Sequence, residues 1–207
     1  MSDVTPLPEI VRVGTARIPT QWGDFDCTAY RSTTDDVEHL VFSMGDIATG
    51  APVLVRVHSE CLTGDVFASR RCDCGAQLHS AMSAIATAGS GALVYLRGHE
   101  GRGIGIGHKI RAYALQDDGL DTVDANTELG LPVDSREYTV AARMLADLGV
   151  THVRLITNNP LKHEGLDGFG ITVVDRVPSS TTPTPENIEY LRTKRDRLGH
   201  VLQIPGD

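Results

Sequence analysis

Apolar residues fall in short runs separated by glycine, proline and asparagine, and their spacing changes along the chain. Runs with strand character lie at 38–43, 53–58, 92–97, 153–157 and 171–176, each short and rich in Val, Ile or Leu. The stretch 25–30 also reads as a strand. After Cys74 the period becomes helical: Leu78, Met82 and Ile85 share one face, and Gly89 ends the pattern. A second helix reads through Ile106, Ile110, Tyr113 and Ala114 and stops near Gly119. A third starts at about Ser135, turns Tyr138, Ala141, Leu145 and Leu148 inward, and ends at Gly149. A fourth covers about 186–198, with Ile188, Leu191 and Leu198 inward, after a loop of sequence PSSTTPTP at 178–185. A strand-rich N-terminal part followed by alternating helices and strands predicts an α/β fold, a mixed β-sheet flanked by helices. The expectation is a single domain over 1–207, with 1–10 a flexible N-terminus.

Composition narrows the partners. The 207 residues include 19 Lys and Arg against 27 Asp and Glu, a net charge of −8. That balance argues against a general nucleic-acid binder, which carries a basic surface. It leaves room for a small basic pocket that takes a phosphate ligand. No run of 18 apolar residues suggests a membrane span. The start, MSDVTPLPEIV, lacks the basic and apolar segments of a secretory signal, so a cytoplasmic protein is expected.

Four cysteines change the picture: Cys27, Cys61, Cys72 and Cys74. The last three lie close together, and Cys72-Asp73-Cys74 is too tight for an ordinary disulfide framework. Metal binding or redox chemistry remains. Thiolates bind zinc at about 2.3 Å, and helix N-termini stabilise them. Three protein ligands suit a catalytic zinc and four a structural one; Cys27, among apolar neighbours, reads better as a buried thiol. A structural site or free core cysteines fit the same residues. A zinc ion with three thiolates carries net −1, so activating water there calls for a nearby acid–base group. His58 and Glu60 are the nearest candidates in sequence.

Three further segments carry candidate chemistry. In the stretch RGHEGRGIGIGHK, glycines at 101, 103, 105 and 107 let the backbone approach a ligand, with Arg102 and Lys109 offering charge to phosphates. A plain strand-to-helix loop fits it too. Asp134-Ser-Arg136 reads either as a charged pair at a site or as a helix cap. Thr157-Asn-Asn-Pro-Leu-Lys162 follows a strand, where α/β proteins hold ligands, and equally fits a simple turn with a surface lysine.

Taken together, the segments RVHSECLTGDVF, RRCDCGAQL, HEGRGIG, KIRAYALQD, DTVDAN, VDSREYT, LITNNPLK and TKRDRLGH resemble GTP cyclohydrolase II, the enzyme family that opens riboflavin synthesis. The resemblance runs from about Arg17 to Leu202. It implies a mixed α/β fold, a homodimer, and one zinc on Cys61, Cys72 and Cys74. It implies contacts to GTP from Arg56, Val57, His58, Ser59, Glu60, Gln77, Glu100, Gly101, Arg102, Thr122, Thr157 and Lys162. Asp134 matches the family's proposed proton acceptor, Arg136 its proposed nucleophile, and Tyr113 a tyrosine that assists the ring chemistry. An arginine nucleophile is chemically demanding because the guanidinium stays protonated, so charge stabilisation is the other role for Arg136. The implied reaction converts GTP, with Mg²⁺ on its phosphates, to 2,5-diamino-6-ribosylamino-4(3H)-pyrimidinone 5′-phosphate, formate and pyrophosphate. Two other readings compete: a specialised paralogue that opens the ring but keeps the formyl group, and a zinc-stabilised nucleotide-binding module without turnover. Larger bifunctional members carry a further synthase domain, for which 207 residues leave no room. Three positions depart from the common pattern: Ala68 where glycine is frequent, His108 where asparagine is, and Ser179 where leucine is.

Overall fold

The computed structural model of the chain describes residues 9–33, 36–179 and 181–204. Of the segment expected to be a flexible N-terminus, 1–8 lies outside the described residues, and Ile10 opens the first strand. Among the described residues, seven strands, β1 (Ile10–Thr20), β2 (Gly23–Ser32), β3 (Glu38–Met44), β4 (Val53–Ser59), β5 (Gly91–Leu96), β6 (His152–Ile156) and β7 (Thr172–Val177), form one sheet in the order β1-β2-β3-β5-β4-β6-β7. The β1–β2, β2–β3 and β3–β5 pairs are antiparallel, whereas β5–β4, β4–β6 and β6–β7 are parallel. The expected mixed sheet is therefore present. The helices are α1 (Leu62–Asp65), α2 (Cys74–Ala88), α3 (Gly105–Asp117), α4 (Thr122–Glu128), α5 (Thr139–Asp147), α6 (Pro160–Asp167) and α7 (Ile188–Leu198).

Alternation along β4 sets both the core and the site. Val53, Val55 and Val57 face a core built with Met144 and Leu145 of α5 and Leu166 of α6. Leu54 faces the other way, toward Phe25, Leu93 and the α2 residues Ala81, Met82 and Ile85. Helix α2 thus covers one face and α5 with α6 the other. Fully burying Ile85 or Leu93 contributes about 1.5–3 kcal/mol each. Arg56 and His58 share the parity of Leu54, so the strand delivers them to the α2 side.

Helix α2 matches its expected span, with Gly89 closing it in the left-handed conformation. Helix α3 has the expected span but the opposite face. Ile106 and Ile110 are exposed, while Lys109 and Ala112 are buried, because this helix lies over a polar site rather than a hydrophobic core. Helix α5 begins at Thr139 rather than near Ser135. The Asp134 carboxylate accepts from the backbone N–H and the guanidinium of Arg136, which holds the preceding segment irregular. Asp134 is therefore not a helix cap. The Asn-Asn-Pro segment is a helix start: Asn159 caps α6 by accepting from Leu161 N, with Pro160 in the first turn. Asp121 caps α4 in the same way. Among the described residues, no helix is long and apolar enough to cross a membrane.

Candidate active site

The parallel strands β4, β5 and β6 run in one direction, and the chain leaving each carries polar residues into one cleft. From β4 come Ser59, Glu60 and Cys61. From β5 come His99 to Arg102. From β6 come Thr157 to Asn159. The cleft and the solvent space at its mouth together span about 940 Å³. Six cationic side chains line it, Arg56, Arg102, Lys109, Arg136, Lys162 and Lys194, against the carboxylates of Glu60 and Glu100. A chain of net charge −8 thus concentrates positive charge in one place.

The thiols of Cys61, Cys72 and Cys74 meet at this cleft, with their sulfur atoms all within 4.8 Å of one another. Helix α1 and the start of α2 bring them together, and the turn depends on Gly64. A Cβ on Gly64 would lie 2.9 Å from Cys72 Sγ and 3.2 Å from Cys61 Sγ. Three sulfur donors around a backbone pressed this close suit a thiophilic divalent ion, and zinc is the ion that favours such a donor set. The protons come off the three thiols as a group. Hydrogen bonds from Cys72 and Cys74, followed by the charge of Lys109, hold the Cys61 thiol far below the usual range. Its bond to Cys61 pushes Cys72 up to about 11. Cys27, on β2, stands apart from the group and is half-buried rather than buried.

Asp65 holds the neighbouring loop. Its carboxylate accepts from Cys61 N at 3.0 Å and from the Tyr95 hydroxyl at 2.8 Å, and it lies 3.0 Å from His58 Nε2. Burial drives the His58 pKa down, so the imidazole is neutral and serves as structure beside the thiols. Glu60 Oε2 accepts from Gly98 N at 2.8 Å. On the opposite wall, Arg56 donates to Gln77 Oε1 at 2.7 Å, Gln77 to Asp73 at 2.7 Å, and Lys194 of α7 to Asp73 at 2.7 Å. This buried chain ties α7 to the residue between two of the cysteines.

The glycine-rich loop turns through a single 3₁₀ turn at Glu100–Arg102. Arg102 has φ +64, a strained value for a non-glycine residue, and such strain costs about 1–3 kcal/mol. Gly103, at φ +92, lets the loop press against Ser135; a Cβ there would meet Ser135 Oγ at 2.4 Å. Ser135 N and Oγ both donate to Arg102 O at 3.1 Å. The loop and the Asp134–Arg136 segment are thereby locked together. One buried NH2 of Arg102 and the Nε of Arg56 find no partner among the described residues. Lys109, expected to serve phosphates, points instead at Cys61, Thr63 and Glu100.

Arg136 and Asp134 form a fork, with Arg136 Nε 2.9 Å from Oδ1 and NH2 2.5 Å from Oδ2. Burial opposes the charge on Arg136, but Asp134 outweighs it and the guanidinium pKa is raised. Lys162 donates to Val57 O at 2.8 Å. Burial, then the charges of Arg56, Arg136 and Lys194, drive its pKa well down. Burial lowers His99 to about 4 and His200 to about 3, and pushes the Tyr113 phenol up to about 12.

Of the residues singled out from sequence, Arg56, His58, Ser59, Glu60, Gln77, Glu100, Gly101, Arg102, Tyr113, Thr122, Arg136, Thr157, Lys162 and the three cysteines all line this cleft. Two do not. Val57 points into the opposite core and offers only its carbonyl, to Lys162. Asp134 stands behind Arg136. Tyr190, Lys194 and His200 also line the cleft; Lys194 and His200 lie in the matched segment TKRDRLGH, but none of the three was given a role from sequence, since α7 reads as an ordinary amphipathic helix. The departures have local accounts. Ala68 sits at φ +53, which explains why glycine is frequent there. His108 Nδ1 lies 3.0 Å from Ile104 O, within its own helical turn. Ser179 exchanges backbone hydrogen bonds with the Asn158 side chain.

The profile of the family described as GTP cyclohydrolase II matches residues 11–178. The riboflavin biosynthesis protein RibBA of Nocardia farcinica is 58% identical over 194 residues, which are 94% of this chain and 47% of that protein. The probable bifunctional riboflavin biosynthesis protein RIBA 2, chloroplastic, of Oryza sativa subsp. japonica is 59% identical over 195 residues, 94% of this chain and 35% of that one. Among solved structures, RibBX of A. baumannii, a two-domain 3,4-dihydroxy-2-butanone 4-phosphate synthase, aligns over 83% of this chain and 40% of that chain at TM-score 0.46 and 20% identity. The chain spans about half or less of the length of these curated relatives. With the profile covering most of the described sheet and cleft, the chain belongs to the GTP cyclohydrolase II family.

Proposed function

We propose that the chain hydrolyses GTP to 2,5-diamino-6-ribosylamino-4(3H)-pyrimidinone 5′-phosphate, formate and pyrophosphate, as an opening step of riboflavin synthesis. Three waters are consumed, one at the phosphoanhydride and two at C8. The observation that supports this most is the sharing of one cleft by a thiol triad and a crowd of cations. The two parts match the two chemistries that the substrate needs.

At the phosphate end, Arg102, Arg136 and Lys162 receive the triphosphate. Arg136 remains protonated in its fork with Asp134. It therefore stabilises charge developing on the phosphoryl oxygens rather than attacking phosphorus. Asp134 fixes the planar guanidinium in orientation. Lys162 is buried among like charges, and a bound anion relieves that repulsion. Mg²⁺ enters on the phosphates of the nucleotide, as suits an ion that keeps several of its waters and takes few protein ligands.

At the base end, Cys61, Cys72 and Cys74 would hold a zinc ion, which when bound would supply Lewis acidity for hydrolysis at C8. Tyr113, whose pKa of about 12 keeps it a phenol at neutral pH, donates its proton to the departing ring nitrogen. Gln77 and Arg56, anchored through Asp73, hold the wall against which the nucleotide lies. We include in the proposal a homodimer in the cytoplasm and the chain acting as one domain, which light scattering and fractionation would read. The reading is tested by formate release from GTP and from ATP, before and after chelation. Formate from GTP alone, lost on chelation and restored by zinc, supports it. No formate under any condition overturns it.

A further inference from the structure

Lys109 is buried on α3, which otherwise turns its isoleucines outward. Its ammonium lies 3.1 Å from Cys61 Sγ, 2.8 Å from Thr63 Oγ1 and 2.5 Å from Glu100 Oε1. An ammonium has three N–H donors and no acceptor, and here three acceptors surround it. We propose that Lys109 is a positioning residue that tunes the thiol site, by donating a charge-assisted hydrogen bond to the Cys61 sulfur. The inference rests on the thiol triad being a metal site, as argued above.

The physical need is specific to three-thiolate sites. Each thiolate donates charge to a divalent ion, and three of them bring the centre to net −1. A centre so charged is a weak Lewis acid. An ammonium at hydrogen-bond distance from one sulfur withdraws part of that donation; with Glu100 paired to the ammonium the charge of the whole group stays at −1, so the effect is local to Cys61. Groups that hydrogen-bond a metal's ligands typically change affinity or activity about 10- to 100-fold when removed. Glu100 and Thr63 hold the ammonium on the sulfur, so it is not free to swing into the cleft. Glu100 also accepts from Leu62 N at 2.5 Å, which links the glycine-rich loop to the residue after Cys61. The loop that meets the nucleotide and the sulfur that meets the metal therefore share one ion pair.

The test substitutes cobalt(II) for zinc and reads the sulfur-to-cobalt charge-transfer band, without nucleotide. A hydrogen bond lowers the energy of the sulfur lone pairs, so Lys109→Met should move the band to longer wavelength. Lys109→Arg, which keeps charge and donors, should keep it near the position of the unsubstituted protein. With zinc, kcat for formate release in K109M should fall about 10- to 100-fold, with KM for GTP changed far less. An unmoved band in a folded K109M protein that binds cobalt overturns the inference while leaving the cyclohydrolase reading intact. A band absent even from the unsubstituted protein overturns the metal site, and this inference with it. Should K109M fail to fold, the same shift in Lys109→Leu decides the matter, because leucine likewise removes both the donor and the charge.

Discussion

Arg136 is gripped by Asp134 two residues earlier through both its Nε and one terminal nitrogen, and the same carboxylate oxygen that accepts from Nε also accepts from the Arg136 backbone at 3.1 Å. The guanidinium is thus aimed by its own chain and lies with 12% of its side chain exposed. A planar fork is what this geometry selects, and a point charge cannot reproduce it.

Arg136→Lys should therefore slow pyrophosphate release about 100-fold. Formate release should follow only as far as it depends on cleavage of the phosphoanhydride. Coupled-enzyme detection of pyrophosphate measures the effect, and unchanged pyrophosphate kinetics would remove Arg136 from the reaction.

Cys72→Ser should reduce bound zinc and abolish formate release, because two thiolates do not hold the ion in the same site. Metal content by atomic absorption and formate by a dehydrogenase assay give the two readings. Normal formate production would contradict the assignment of the triad.

Gly64→Ala tests the same site without touching a ligand. The added Cβ would fall 2.9 Å from Cys72 Sγ, so the sulfurs must spread. Zinc affinity, measured by competition with a chelator, should drop about 10- to 100-fold.

Lys162 links the site to stability. Its pKa in the folded protein lies well below the ordinary lysine value, because of burial and the charges of Arg56, Arg136 and Lys194. Between the folded value and about 10.4 the unfolded chain holds more protons than the folded one, so stability rises with pH across that window. Lys162→Met should flatten this slope and raise Tm at neutral pH, each 1 kcal/mol gained corresponding to about 2–4 °C. The same change should weaken GTP binding. Calorimetry across pH, with and without nucleotide, measures both effects.

Much of the fold was legible where burial follows one simple period. Strands β3 to β7 and helix α2 lay where their Val, Ile and Leu spacing placed them. Strand β1 was hidden because its interior positions are exposed and show no alternation, as suits the edge of a sheet. Helix α3 misled for a physical reason. Its period in Ile106 and Ile110 is real, but the buried face carries Lys109, whose partners are a thiol and a carboxylate. In the site, the cysteines, the glycine-rich loop and Lys162 were legible from residue type and spacing. Lys109 was seen but assigned to phosphates, since sequence alone does not show that Cys61 and Glu100 fold against it. Lys194 and His200 stood in a matched segment without an assigned role, and it is the return of α7 to Asp73 that brings them, with Tyr190, into the site.

The central claim is that one cleft carries out both cleavages. The most direct measurement incubates the zinc-loaded protein with GTP and Mg²⁺ and resolves every product by mass spectrometry, counting formate and pyrophosphate per GTP consumed. The account predicts one of each, together with the diaminopyrimidinone phosphate. A product that keeps its formyl group, or a nucleotide recovered intact, would contradict it.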